Sequence, residues 1–230
     1  MYTPLPDRPD TGTPNPQTTA HDLDRRKAAV TRLGRELRAL VEATVRTAAS
    51  PETLHRVADG VRQVAGELTG RQRRRAEIPE VDEFPVGARM YSPVTGAGSP
   101  LAPPVRVEST GDGLLGRCTL GLAHEGPPGY GHGGMSAMLL DELMGRACAT
   151  AGMPGMTVSL RMTYHRPVPL ETPLRIFARV TGTDDRKVFV DGTIVTEADP
   201  AKPLVTGDGV FVMPDPERVR ALFPGMSQEA

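Results

Sequence analysis

Apolar residues recur at helical spacing in three stretches of the chain. In residues 22–49 they form one stripe, and arginines occupy the other faces of the predicted helix. A second helix is predicted to start at Ser50-Pro51-Glu52, where an N-cap residue, a proline and an acid follow one another, and to end near Gly70. Residues 135–151 are apolar almost all round, which predicts a buried helix.

Alternation of apolar and polar residues predicts six strands around that third helix. Gly111-Asp112-Gly113 separates the first two strands and indicates a hairpin turn. After the helix, Val158, Leu160, Met162 and Tyr164 alternate with polar residues, which predicts a half-buried strand. The six predicted strands cover residues 105–108, 114–122, 158–164, 174–180, 188–196 and 204–213. The order β-β-α-β-β-β-β, with short turns between the later strands, favours an α+β fold with an antiparallel sheet.

Composition divides the chain into five parts. Residues 1–19 are rich in proline and threonine and are predicted to be a disordered tail. Residues 20–76 form an N-terminal helical hairpin, and residues 77–104, with many prolines and glycines, form an irregular connector. The α+β domain covers 105–214, and 215–230 form a short helix and tail. Two amphipathic helices cannot bury both faces alone, so we expect the hairpin to dock on the domain or on a partner.

Charge and composition narrow the classes of function. A net charge of -1, an aromatic content of 4% and the lack of tryptophan give no support to nucleic-acid binding. The chain has no run of about 18 apolar residues and no apolar signal segment at its N-terminus. Cys118 and Cys148 do not suggest a disulfide framework, and no histidine spacing fits a metal site. We therefore expect a cytoplasmic protein with no membrane partner, no metal and no cofactor.

The stretch 126–157 carries the candidate chemistry. A glycine- and proline-rich turn leads into His132-Gly133-Gly134, where the buried helix would begin. A helix N-terminus presents free N–H groups and a partial positive charge, and glycine leaves both accessible to a ligand. Asp141 lies midway along the same helix, on a face whose other members are small: Gly134, Ala137, Gly145 and Cys148. A carboxylate beside small residues has room next to it for a ligand.

These motifs resemble those of the PaaI-type acyl-CoA thioesterases, which have the hot-dog fold. The resemblance rests on GPPGYGHGGMSAMLLDE, on GMT at 155–157, on YHRPVP at 164–169 and on DRK at 185–187. The resemblance covers roughly residues 105–213. Within the family, this sequence is most similar to the carboxyl-terminal-modulator-like branch. It implies an antiparallel sheet wrapped around one helix and an acyl-CoA substrate, with coenzyme A as part of that substrate. It also implies a homodimer or a dimer of dimers, that is, a homotetramer.

The resemblance implies a role for each residue of the central motif. Asp141 would be the general base or the nucleophile in thioester hydrolysis. The N–H of Gly133, with Gly134 beside it, would polarise the thioester carbonyl, and Thr157 would hydrogen-bond the attacking water or the carboxylate. Apart from the resemblance, His132 is a candidate general acid, or a residue that fixes the turn through a side-chain hydrogen bond.

Three cations are candidates for binding coenzyme A phosphates. Arg166 precedes a proline after the third strand, and Arg186 and Lys187 lie at the start of the fifth. Cationic side chains bind phosphate through charge-assisted hydrogen bonds. The alternative for all three is ordinary solvated charge.

Spacing along the third helix predicts an assembly. Gly133 and Asp141 are eight positions apart, hence ~12 Å apart along the helix, too far to act on one carbonyl carbon. The donor of one subunit must therefore meet the acid of another, which predicts a dimer with sites at the interface. Two alternatives remain: a non-catalytic acyl-CoA sensor or scaffold, and a hydratase, for which His132 and Asp141 have the wrong separation. The sequence does not specify the acyl group.

Overall fold

The computed structural model describes residues 20–74, 77–83 and 87–215, so the predicted tail (1–19) and nearly all of the predicted C-terminal helix lie outside the described residues. Helices and strands follow the predicted order. They are α1 (Ala20–Arg46), α2 (Pro51–Gly66), β1 (Arg106–Thr110), β2 (Gly113–Thr119), a 3-10 turn (Leu122–His124), α3 (Gly133–Thr150), β3 (Met156–Tyr164), β4 (Pro173–Asp184), β5 (Lys187–Thr196) and β6 (Val205–Val212).

The strands form one antiparallel sheet in the order β1-β2-β4-β5-β6-β3. Helix α3 contacts every strand of this sheet from β2 to β6. Seven of its residues are buried against the sheet: Ser136, Leu139, Leu140, Leu143, Met144, Ala147 and Cys148. Each fully buried aliphatic side chain contributes roughly 1.5–3 kcal/mol. One buried helix enclosed by an antiparallel sheet is the hot-dog architecture, so the predicted α+β fold is confirmed.

Glycines in the sheet let α3 approach closely. A Cβ on Gly192 would lie 2.7 Å from the Cε of Met144 and 2.8 Å from the Cδ2 of Leu140. A Cβ on Gly116 would lie 2.7 Å from the Cδ2 of Leu143. Real Cβ atoms do not approach other atoms so closely, so a larger residue at either position would force these α3 side chains to move. Tight packing of this kind fixes α3, and with it every residue of the central motif.

Strand β3 departs from the predicted alternation at Val158. The pairing of β3 with β6 shifts there by one residue, which is a β-bulge. Because of the extra residue, Thr157 and Leu160 both face α3, although they are three positions apart. Thr157 lies opposite the buried Phe211. Of the four residues predicted on the buried face of this strand, Leu160 and Met162 pack against the core, whereas Val158 and Tyr164 are 60% and 52% exposed. The bulge directs Thr157 toward Asp141.

Helix α1 docks on the connector and on the 3-10 turn. Its one buried residue, Gly34, lies so close to the connector that a Cβ there would be 2.5 Å from the carbonyl oxygen of Ala97. Arg38 donates from Nη1 to the carbonyls of Ala97 and Ser99, at 2.8 and 2.7 Å. Glu42 accepts hydrogen bonds from two backbone N–H groups of the 3-10 turn, at 3.1 and 3.3 Å. The hairpin is thus joined to the domain through α1.

Helix α2 is attached much less firmly. It starts as predicted, with the hydroxyl of Ser50 accepting from the N–H of Thr53 at 3.4 Å, but none of its residues is buried. The exposed apolar side chains along α2 and just beyond it are Leu54, Val57, Val61, Val64 and Leu68. Within the described residues, none of the helices combines the length and the apolarity that crossing a bilayer requires.

Candidate active site

Helix α3 begins at the predicted glycine turn. His132 is its N-cap, and the Nδ1 of this histidine accepts a hydrogen bond from the N–H of Gly134 at 3.0 Å. The N–H of Gly134 is therefore occupied. Gly133 is the first helical residue, a position whose N–H has no acceptor within the helix. Of the two glycines, Gly133 is thus the better placed to donate to a ligand.

The turn that precedes α3 is held by hydrogen bonds within the turn and by one to the segment that follows β3. The N–H of Gly126 donates to the carbonyl of Tyr130 at 2.9 Å, and the N–H of Gly131 donates to Val168 at 2.8 Å. Gly129 has a φ of 82°, a conformation that favours glycine, and its N–H donates to Oε1 of Glu125 at 2.7 Å. The start of α3 is therefore preorganised before any ligand arrives.

Tyr164 joins the far end of β3 to the start of α3. Its hydroxyl donates to the carbonyl oxygen of Gly133 at 3.0 Å. We call His132, Gly133, Gly134 and Tyr164 the donor end of the site. Nothing in the sequence pattern marks Tyr164 for this contact, because it depends on how β3 lies beside α3.

Asp141 and Thr157 form the second part of the site, which we call the acid end. The hydroxyl of Thr157 donates to Oδ1 of Asp141 at 2.7 Å, a length typical of a charge-assisted hydrogen bond. Asp141 is half-buried and Thr157 is exposed. A carboxylate offers about four acceptor positions, so the group that Thr157 orients can still accept a hydrogen bond from a water molecule.

A cavity of about 700 Å³ opens beside Asp141, and we call it the Asp141 cavity. Asp141, Gly145 and Ala149, which lie one turn apart on α3, line it along its length. Residues of β1, the connector, the start of β3 and Phe211 line the rest. Of the small residues predicted beside Asp141, Gly145 thus lines the cavity.

The donor end lies in a different cavity of the same chain. Gly133 and Tyr164 line a space of about 350 Å³, together with Arg166 and residues of the glycine-rich turn. Asp141 is not among the residues that line this space. Within one chain, the donor end and the acid end do not share a cavity, as their spacing along α3 predicts.

The three predicted phosphate-binding cations lie at opposite ends of the sheet. Arg166 is exposed beside the donor end, and its Nη2 donates to the carbonyl of Pro203 at 3.1 Å. Arg186 and Lys187 are exposed in the β4–β5 turn and at the start of β5. Lys187 pairs with Val212 of β6, which pairs in turn with the first residue of β3. Arg186 and Lys187 are therefore at the acid end of the sheet.

Sequence reasoning missed the part that the connector plays. Glu142 accepts hydrogen bonds from the hydroxyl of Thr95 and the Nε of Arg146. Gly87 and Arg89 of the connector line the Asp141 cavity. The spacing of Glu142 and Arg146 is a readable signal for an ion pair on a helix. The connector gives no such signal, since it has no periodicity.

Comparisons with known proteins agree with this architecture. The thioesterase superfamily matches residues 128–201, a span that contains the central motif. The acyl-coenzyme A thioesterase THEM4 of Mus musculus is 34% identical over 99 residues, which are 43% of this chain and 42% of that protein. The acyl-coenzyme A thioesterase THEM5 of Homo sapiens is 27% identical over 88 residues, which are 38% of this chain and 35% of that protein. The chain thus spans less than half the length of these curated relatives.

One solved structure is similar over most of its length. It is the crystal structure of a thioesterase superfamily protein, 36% identical, with a TM-score of 0.69. The match covers 80% of this chain and 94% of that chain, more than residues 105–214 alone can supply, so the similarity extends into the N-terminal part. The resemblance drawn from the central motif is confirmed, and this chain belongs to the thioesterase superfamily.

Proposed function

We propose that this protein is an acyl-CoA thioesterase, which converts an acyl-CoA and water into the free acid and coenzyme A. The observation that carries the proposal is the acid end: a half-buried Asp141, oriented by Thr157, in a cavity of about 700 Å³. The curated relatives named acyl-coenzyme A thioesterases support this reaction class.

In this mechanism Asp141 accepts a proton from a water molecule whose oxygen attacks the thioester carbonyl carbon. The negative charge that develops on the carbonyl oxygen is stabilised by the N–H of Gly133, at the positive end of the α3 dipole. Collapse of the tetrahedral intermediate breaks the C–S bond, and the coenzyme A thiolate leaves and takes up a proton. Attack by Asp141 itself, with hydrolysis of the resulting anhydride, would use the same groups.

The site is proposed to be completed by a second copy of the chain. Strand β3 is an edge of the sheet, with nine residues and a row of backbone groups left for pairing. Three of its apolar residues are exposed: Met156 by 47%, Val158 by 60% and Tyr164 by 52%. A long, apolar edge of this kind is suited to pairing with a second sheet.

Two-fold pairing of β3 with β3 would bring the two ends of the site together. In an antiparallel pair, the start of one strand lies beside the end of the other. Thr157 lies at the start of β3, and Tyr164, which contacts Gly133, lies at its end. The acid end of one copy would then meet the donor end of the other. Arg166 of one copy and Arg186 and Lys187 of the other would approach the same site and could bind coenzyme A phosphates.

A panel of acyl-CoA esters tests the proposal. Purified protein and its Asp141→Ala variant are incubated with acetyl-, octanoyl-, palmitoyl- and benzoyl-CoA, and released coenzyme A is measured with a thiol reagent. Burial raises the pKa of Cys118 to about 12 and that of Cys148 to about 11, so the protein's own thiols react little with the reagent at neutral pH.

We expect turnover by the wild type that collapses in Asp141→Ala. The variant Asp59→Ala is the matched control, because Asp59 is an exposed acid on α2 that pairs with Arg62. A folded, dimeric wild-type protein that hydrolyses none of the four acyl-CoA esters would contradict the proposal. If that dimer still bound an acyl-CoA tightly, the sensor alternative would take its place.

A further inference from the structure

A polar network ties the connector to α3 one residue beyond Asp141. The hydroxyl of Thr95 donates to Oε1 of Glu142 at 3.0 Å, and the Nε of Arg146 donates to the same oxygen at 3.1 Å. The Nη2 of Arg146 reaches the hydroxyl of Thr95 at 3.1 Å and the carbonyl of Gly87 at 3.5 Å. We call Thr95, Glu142 and Arg146 the clamp.

The clamp lies beside the Asp141 cavity. Glu142 and Arg146 line the cavity directly, and so do Gly87 and Arg89 of the connector segment that the clamp holds. The side chains of Glu142 and Arg146 are only 25% and 27% exposed, so the surrounding protein shields their ion pair in part from water. The clamp therefore fixes one wall of the space in which Asp141 lies.

The connector is fixed from its other side as well. Asp82, whose side chain is only 3% exposed, accepts from the Nε of Arg89 at 2.9 Å and from the N–H of Met90 at 2.7 Å. Val94 is buried in the core next to Thr95, and Arg38 of α1 holds the connector carbonyls that follow. The N-terminal helix thus supports the loop that carries the clamp.

We propose that the clamp determines acyl-group specificity, by setting the width of the Asp141 cavity at a distance from the reacting carbon. This rests on the proposed thioesterase function. Glu142 lies next to Asp141, but the cavity continues along α3 past Arg146, which is five residues or ~7.5 Å beyond Asp141, and Arg146 there holds the connector at Gly87. An acetyl group is too short to reach that depth, whereas a hexanoyl or longer group, or an aryl group, extends to the wall that the clamp holds. Thr95, Glu142 and Arg146 are positioning residues in this role.

The test compares Thr95→Val with the wild type over acetyl- to decanoyl-CoA. Valine keeps the shape of threonine but removes the hydroxyl that joins the connector to Glu142. Among the acyl groups of hexanoyl length or more, we take the one that the wild type hydrolyses best. For that substrate we expect the kcat/KM of Thr95→Val to be about ten-fold below that of the wild type, through a higher KM. Hydrolysis of acetyl-CoA should change far less. Thr44→Val is the matched control, since Thr44 is exposed and its hydroxyl donates within its own helix, to the carbonyl of Leu40.

A second variant and a second measurement distinguish failure of the clamp's role from failure of the proposed thioesterase function. Arg146→Lys retains the charge but lacks the planar guanidinium that donates to Glu142, Thr95 and Gly87. It should therefore lower kcat/KM for long acyl groups more than for acetyl-CoA, as Thr95→Val does. In an Asp141→Asn background, stabilisation of the protein by each acyl-CoA in thermal unfolding reports binding without turnover. A uniform loss over all chain lengths, or no change, would overturn the clamp's role. If the wild type hydrolysed nothing but the clamp variants lost chain-length-dependent binding, the clamp would stand and the thioesterase function would fail.

Discussion

The donor end and the acid end of the site are built in different ways. At the donor end, the bonds of the helix start and of the turn that precedes it are mostly short in sequence: Gly134 donates to His132, and Gly126 donates to Tyr130. Two longer contacts, from Gly131 to Val168 and from Tyr164 to Gly133, anchor this end to the segment at and after the end of β3. At the acid end, Asp141 is oriented by Thr157, which is sixteen residues further along the chain and reaches it because of a bulge in β3. The clamp beside it joins positions that are 47 residues apart.

This difference indicates how each end should respond to change. The bonds within the glycine-rich turn and the N-cap should survive changes in distant parts of the chain, whereas the contacts with Val168 and Tyr164 should not. An end assembled from α3, β3 and the connector should be sensitive to all three. Specificity can therefore vary at the acid end while the donor end stays as it is. The predictions below test this contrast, and the largest expected effect comes first.

Removing the carboxylate should have the largest effect on activity. Asp141→Asn keeps the shape of the side chain but removes the base, and general-base catalysis contributes roughly 10²–10⁴-fold. We expect kcat to fall by about that factor, with the midpoint of thermal unfolding unchanged, in acyl-CoA hydrolysis followed by thiol release. A variant with near-normal kcat would show that the reaction does not depend on this acid.

The central motif could be read from the sequence, and the reason is that its geometry is local. A glycine turn, an N-cap and a mid-helix acid follow from the spacing of residues 126–141 alone. The predicted alternation in β3 was wrong at Val158 because a bulge depends on the pairing partner, Phe211 of β6, and leaves no mark in a single strand. The connector's place beside the Asp141 cavity was missed for a similar reason, because its contacts are with residues distant in sequence.

Removing the oxyanion donor should have the next largest effect. Gly133→Pro deletes the N–H at the first helical position, where proline is well tolerated, and His132 already has the extended conformation that a following proline requires. We expect kcat to fall by roughly 10²–10³-fold, as for other oxyanion donors. Circular dichroism and thermal unfolding show whether α3 keeps its start.

Mixing these two variants tests whether the ends act across a dimer. A mixed dimer of Asp141→Asn and Gly133→Pro would contain one intact site, formed by the donor end of the first and the acid end of the second. Random exchange of subunits should then restore about a quarter of wild-type activity. Activity that stays at the level of the separate variants after exchange would mean that each chain uses its own two ends.

Disrupting the β3 edge should separate the two ends without altering either. Val158→Lys places a charge on the exposed apolar edge, and we expect monomers in light scattering, with activity that recovers only at high protein concentration. Thr110→Lys on β1 is the matched control, because β1 is the opposite edge of the sheet and Thr110 is exposed and does not line the Asp141 cavity. A fully active monomer would contradict the composite site.

The smallest effect is expected at Thr157, which in the proposed mechanism orients Asp141 and does not itself react. Thr157→Val removes the hydroxyl that donates to Asp141, and the loss of one hydrogen bond to a charged group, about 1.5–3 kcal/mol, corresponds to roughly a ten- to hundred-fold fall in kcat. Thr157→Ser retains the hydroxyl and should recover most of the activity. Because Thr157 is exposed, neither variant should change thermal unfolding much. A Thr157→Val enzyme as active as the wild type would mean that α3 alone holds Asp141 in place and that the contact with β3 contributes nothing to the reaction.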